Sequence, residues 1–140
     1  MIQRIQSIWL LLASICTVLS VKFSFYTGNK LDAVTNAKTY VQLNAQSDML
    51  LTILVGFILA ASLIAIFLYK DRKKQMLVAG ITALVAIINI VIYISETRSF
   101  VEGQYAITST ITFLVPIFLL LAARGIWKDE QLVKSADRLR

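Results

Sequence analysis

Apolar positions along the 140-residue chain gather into four blocks that contain no charged residue. The first covers residues 5–21, between Arg4 and Lys22, and the others cover 49–69, 75–95 and 103–123. A helix rises about 1.5 Å per residue, so each of the three later blocks reaches roughly 31 Å, close to the roughly 30 Å hydrocarbon core of a bilayer. The first block is shorter and is lengthened if Lys22 snorkels and Phe23, Phe25 and Tyr26 sit at the interface. Backbone in lipid must satisfy its own hydrogen bonds, which makes helix the required state for these blocks. The pattern predicts an all-α membrane protein: a four-transmembrane-helix antiparallel bundle forming one integral domain over residues 1–140. Its spans are 5–23, 49–69, 75–95 and 103–123, with an extracytoplasmic loop at 24–48 and a cytoplasmic tail at 124–140. A cleaved signal peptide is the rival reading of the first block, with Ser20 as the small residue at the cut. Val18, two places earlier, is a poor partner for that cut.

Within the blocks, small and polar residues recur every three or four positions, giving each helix one seam for close approach to its neighbours. The first seam reads Gln3, Ser7, Leu10, Ser14, Thr17. The second is a ridge of Thr52, Gly56 and Ala60. The third reads Ala79, Thr82, Ala86, Asn89, Tyr93, and the fourth Tyr105, Ser109, Thr112, Pro116, Leu119, Ala123. Asn89 needs a partner inside a span. One reading makes it glue between helices, opposite a Ser or Thr. The other makes Asn89, Thr112 and Ser109 an intramembrane polar site on a substrate path. Pro116 deprives the Thr112 carbonyl of its usual helical donor and would help open such a site.

The loop at 24–48 alternates weakly and carries a Thr27-Gly28-Asn29-Lys30 turn signal, so a short extracytoplasmic β-hairpin resting on the helix ends is expected. The tail is patterned as a helix, with Leu132, Ala136 and Leu139 on one face and helix-spaced pairs Glu130–Lys134 and Lys134–Asp137. Trp127 falls where an indole favours the interface.

Composition sharpens this picture. Hydrophobic residues make up 58% and charged residues 16%, with a mean hydropathy of +0.75, unlike a water-soluble domain with about a quarter of its residues charged. The lysines and arginines are unequally shared. Arg4, the residues Lys70 and Arg72 to Lys74, and the tail hold ten of the 14; Lys22, Lys30, Lys38 and Arg98 make up the rest. Acidic residues divide evenly, so the net charge of +6 lies on one face. By the positive-inside rule that face is cytoplasmic and holds both termini. The basic loop serves first as a topology determinant, with a specific lipid-binding role as the alternative. No basic stripe interleaved with aromatics is present, so nucleic acid is not an expected partner.

With no His and a single Cys, the chain lacks the side chains for a His-dependent triad, a His-ligated zinc site or an intrachain disulfide. No cofactor or metal is expected. No charged residue lies within a block, which argues against a proton-coupled pump. Cys16 reads as a small packing residue. Lipid-modifying enzymology has the least support, since no nucleophile–base pair or carboxylate cluster occurs.

The opening MIQRIQSIWLLLA and the closing KDEQLVKSADRLR resemble the two ends of a family of small four-span inner-membrane proteins of Bacteroidota, a domain of unknown function. The resemblance extends over essentially the whole chain. It implies a bacterial inner-membrane location and brings no reaction, ligand or catalytic residue. Its motifs fall at Gln3, Arg4 and Gln6, and at Asp129, Glu130, Leu132, Val133, Lys134, Ser135, Ala136, Asp137 and Arg138. Of these, Gln3, Arg4, Asp129, Glu130, Lys134, Asp137 and Arg138 form the candidate cytoplasmic partner surface. Gln3 and Arg4 are expected to pair with Asp129, Glu130 or Asp137. The expected function is a non-enzymatic accessory, assembly or partner-binding protein, in contact with the lipid bilayer and a cytoplasmic or membrane protein partner. The alternative is a small transporter or channel subunit with its polar site near Asn89. It would be a homo-oligomer, since four short helices enclose little volume.

Overall fold

The computed structural model describes residues 3–31 and 38–138, with the side chains of 5–31 and 38–135. Its elements run α1 (Gln3–Lys22), β1 (Tyr26–Leu31), β2 (Lys38–Leu43), α2 (Met49–Phe67), α3 (Arg72–Thr97), β3 (Glu102–Tyr105) and α4 (Ser109–Arg138), with a 3-10 turn at Leu68–Lys70 between α2 and α3. All four helices are long and apolar enough to cross a membrane.

The helices form a ring in which α1 packs on α2 and α4, and α3 packs on α2 and α4. Neighbours run antiparallel. Gln6, early in α1, meets Asp129, late in α4, while Thr17 and Ser20, late in α1, face Thr112, early in α4. The core is built of small residues on α1 and α3 (Ala13, Ala79, Ala83, Ala86) against larger ones on α1, α2 and α4 (Leu10, Ile58, Leu119, Ile126). Small against large is how close-packed interiors fill space without voids. Trp9 stacks on Phe118 at 5.7 Å between ring centres and adds an aromatic contact to the α1–α4 interface.

The seam expected on α3 is the one that faces inward: Ala79, Thr82, Ala86, Asn89 and Tyr93 are all buried. On α1, Leu10, Ser14 and Thr17 are buried and Ser7 is half-buried. On α4, Ser109, Thr112, Pro116 and Leu119 are buried, but Tyr105 lies in β3 and is exposed.

The ridge expected on α2 points outward. Thr52, Gly56 and Ala60 are exposed, and Leu51, Val55, Ile58, Ser62 and Ala65 face the core. This helix is apolar on every side, so small residues alone do not mark its inner face. The bulkier stripe is the one that fills the space beside the alanines of α3. The Thr52 hydroxyl acts locally instead, donating to the carbonyls of Ala45 (2.8 Å) and Asp48 (3.0 Å) and securing the start of the helix.

The short β-hairpin expected between α1 and α2 is present as β1 and β2, but the expected turn is misplaced and a third strand joins the pair. Residues 27–30 are not a turn but the middle of β1, which pairs antiparallel with β2 (Gly28 opposite Val41) and with β3 (Gly28 opposite Gly103). The sheet order is β2-β1-β3. Gly28 marks a close approach of two strands. A Cβ there would lie 2.3 Å from the Glu102 carbonyl oxygen and 2.7 Å from the Gly103 Cα, the strand role of glycine rather than its turn role. The third strand uses residues that an uncharged-run criterion assigns to the fourth span, so α4 begins at Ser109 rather than at residue 103. At its other end α4 continues without a break to Arg138, and the tail expected as a separate helix is its extension.

Candidate functional site

Among the described residues each interface of the helix ring holds a polar contact, and three of the four described below lie at the basic end of the bundle. Gln75, buried at the start of α3, donates from Nε2 to the Ala65 carbonyl of α2 at 2.9 Å. Gln6 of α1 donates from Nε2 to the Asp129 carboxylate of α4, with both side chains buried. Arg72 of α3 donates from Nη1 to the Asp129 carbonyl at 3.2 Å. The fourth contact, Ser14 to Ser62 at 2.9 Å, joins α1 to α2 near mid-bundle.

Gly125 explains how the Gln6 amide reaches Asp129. A Cβ at position 125 would stand 3.1 Å from Gln6 Cγ, so the bare backbone leaves the channel along which this side chain lies. Asp129 is one helical turn further on and meets the amide at the end of that channel. A buried carboxylate is tolerated when hydrogen bonds replace its water, and the Gln6 amide supplies one.

This clasp changes the reading of the partner surface. The two ends of the chain do meet, but through Gln6, with Asp129 turned inward at 6% exposure rather than presented to a partner. Glu130 is half-buried and takes Lys134 at 2.9 Å. Lys134 is exposed, as are Gln131, Leu132, Val133 and Ser135. The side chains of Gln3, Arg4, Asp137 and Arg138 lie outside the described residues. Sequence reasoning missed Gln75 and gave Gln6 no contact of its own. The available signal was a glutamine just inside the end of an apolar block, where an amide reaches a neighbouring helix more readily than water.

Toward the sheet end of the bundle, Asn89 and Thr112 line one cavity of about 10 Å³ together with Thr17, Ser20, Val55, Ile58, Ala86 and Val115. That is room for roughly one water molecule. Ser109 is buried one turn before Thr112 but is not among the lining residues. The hydroxyls of Thr17 and Ser20 turn back onto carbonyls of their own helix, Ala13 at 2.7 Å and Thr17 at 2.8 Å. Asn89 Oδ1 and, one turn along the same face, Tyr93 Oη are buried with no hydrogen-bond partner among the described residues.

The far end is closed by aromatics. Phe25 stacks on Tyr93 at 4.6 Å and touches Tyr105 and Phe113, while Tyr26 meets Phe100 and Tyr105 edge-on. Leu43 and Leu51 complete that cluster. The described residues contain no group of three His, Cys, Asp or Glu side chains placed to hold a metal.

A ring of four long apolar helices, clasped by polar side chains at one end and capped by a three-stranded sheet at the other, is the class of protein that these features define. The family model described as "Domain of unknown function (DUF4293)" matches residues 2–139, and the chain belongs to that family. No curated protein and no solved structure matches it.

Proposed function

We propose that the chain is a multi-pass protein of the bacterial inner membrane, with both termini on the cytoplasmic side, acting without catalysis as an accessory or assembly factor. Its polar end presents the α4 extension to a protein partner. The observation that carries this reading is the length and exposure of α4. Thirty helical residues reach about 45 Å, some 15 Å more than a hydrocarbon core needs. The surplus holds Leu132 and Val133 exposed at 49% and 44%. Two adjacent apolar side chains on a charged stalk suit a docking contact. The basic residues at this end support its cytoplasmic placement through the positive-inside rule.

Crosslinking in intact cells tests the reading. The wild-type chain is expected to capture a discrete protein partner, and Leu132→Asp/Val133→Asp to lose it. This pair is preferable to deleting the tail from residue 127, which would remove Asp129 and open the clasp. The same captured proteins with and without the substitutions, or none with either, would sink the partner role. Cysteine labelling that put the two termini in opposite compartments would sink the topology.

One observation favours a small oligomeric transporter or channel subunit instead: the unpartnered Asn89 Oδ1 and Tyr93 Oη in the bundle interior. A cavity the size of one water suits packing better than passage. Reconstituted protein that conducts an ion or solute, and stops when Asn89 becomes Leu, would reverse that preference.

A further inference from the structure

We infer that the groove between the α2–α3 turn and the α4 extension is a binding site for the phosphate headgroup of an anionic phospholipid. The inference rests on the membrane placement proposed above and adds a ligand to the basic end.

The groove is a concavity of about 430 Å³. Five cations line it, Lys70, Arg72, Lys73, Lys74 and Lys134, against two carboxylates, Asp71 and Glu130. The carboxylates are already engaged: Asp71 takes Lys74 at 3.0 Å and Glu130 takes Lys134 at 2.9 Å. Lys70, Lys73 and Arg72 form no ion pair of their own with a carboxylate among the described residues. Arg72 is also held in place. One of its five donors is fixed on the Asp129 carbonyl, and its side chain is half-buried, which leaves a preorganised guanidinium edge beside the ammonium groups of Lys70 and Lys73, the latter sharing the field of Glu130 with Lys134 and Arg72. The start of α3 adds to this field. Arg72 opens the helix, and the capping residue Asp71 makes no side-chain hydrogen bond to the first-turn amides, so the positive end of the helix dipole faces the same side.

Charge alone would suit any phosphate. The surroundings select a lipid. Phe67 and Leu77 are exposed at 77% and 60%, one turn before Lys70 and about a turn and a half after Arg72. Neither lines the groove, but along the chain they mark where the exposed apolar surface of α2 and α3 begins, and Val133 forms an apolar part of the groove wall. A ligand seated on Lys70, Arg72 and Lys73 has a phosphate in the groove and acyl chains running down an apolar wall. Basic pockets at the cytoplasmic ends of membrane helices hold anionic headgroups on these terms.

The test uses the full chain in phosphatidylcholine nanodiscs doped with phosphatidylglycerol, with lipid retained on transfer to detergent counted by native mass spectrometry. Wild type is expected to keep phosphatidylglycerol in preference to phosphatidylcholine. Lys70→Gln/Lys73→Gln should weaken that retention about fivefold per lysine, roughly 25-fold for the pair. Lys30→Gln/Arg98→Gln removes as much charge from the sheet end and should leave retention unchanged. Lys70→Arg/Lys73→Arg should preserve it, which separates a charge effect from misfolding. Equal retention of the two lipids, or equal loss in the sheet-end control, overturns the site. Displacement by soluble glycerol phosphate as effective as by phosphatidylglycerol overturns the lipid assignment in favour of a free phosphate ester. A chain that never enters the nanodisc overturns the membrane reading itself.

Discussion

The two ends of the bundle are closed by opposite chemistry. At the sheet end, Phe25, Tyr93, Phe113, Tyr105, Tyr26 and Phe100 make a continuous aromatic contact that seats three short strands on the helix ends. At the basic end, two glutamines, an aspartate and an arginine tie the helices together through amide and charge-assisted hydrogen bonds. Aromatic burial is non-directional and worth several kcal/mol per ring, whereas a hydrogen bond is worth little net but is costly to break once buried. The sheet end should therefore carry more of the stability. The basic end should carry more of the register, since each of its contacts names one residue on one partner helix.

The largest expected effect lies in the aromatic cluster. Phe25→Ala should lower unfolding stability by about 3–5 kcal/mol, measured by equilibrium denaturation in detergent. Phe25 is 2% exposed and touches three rings, so little can collapse into the space it leaves. A loss under about 1 kcal/mol would mean that the sheet is an ornament on the bundle and would end the comparison.

The clasp comes next. Gln6→Leu leaves a buried carboxylate with its amide donor gone and should cost about 1–3 kcal/mol. Asp129→Leu on its own strands the Gln6 amide and should cost a similar amount. In the double variant much of that loss should return, since both polar groups are removed together. A double-mutant cycle reads this directly, and independent, additive losses would show that the two side chains do not act as a pair.

Asn89→Leu should move stability by less than about 1 kcal/mol, because the substitution removes an acceptor that makes no hydrogen bond and keeps the same branched shape, its larger methyl groups facing the small adjoining cavity. The sequence-based glue reading expects a clear loss instead. A clear loss would mean that Asn89 Oδ1 has a partner in the folded protein, a water in the adjoining cavity being the simplest.

How far the chain can be read without its structure depends on contrast within each block. In α3 the polar and small residues stand out against Leu, Ile and Val at helical spacing, and the inward face follows from that contrast. In α2 there is almost none, and the ridge of small residues, expected to face inward, lies on the outer side. Counting uncharged residues treats Gly103, Gln104 and Tyr105 as span, although Gln and Gly on an edge suit a short strand; pairing with β1, more than 70 residues earlier, decides it. Asp129 is the sharpest case. A carboxylate in a polar tail reads as surface, and only a partner 123 positions away, with Gly125 giving it room, turns it inward.

The smallest effect sets a limit on what exposed charge does at the sheet end. Lys38 Nζ lies 3.0 Å from Glu102 Oε1, and both side chains are more than half exposed. The Lys38 hydrogen bond, then its charge, then a bond from Asn29 hold the Glu102 carboxyl below its ordinary value of 4.5. A group whose folded pKa is depressed contributes stability above its unfolded pKa and loses it as pH falls through the folded one. The contribution of this pair is therefore complete above about pH 4.5 and fades as the solution is acidified further. Thermal unfolding of wild type and Lys38→Gln should differ slightly at neutral pH and converge below that value, and salt should shrink the difference by screening. Phe25→Ala should keep its full deficit across the same pH range. A Lys38→Gln difference that survives acidification would show that Lys38 contributes through its methylene packing on the strands rather than through Glu102.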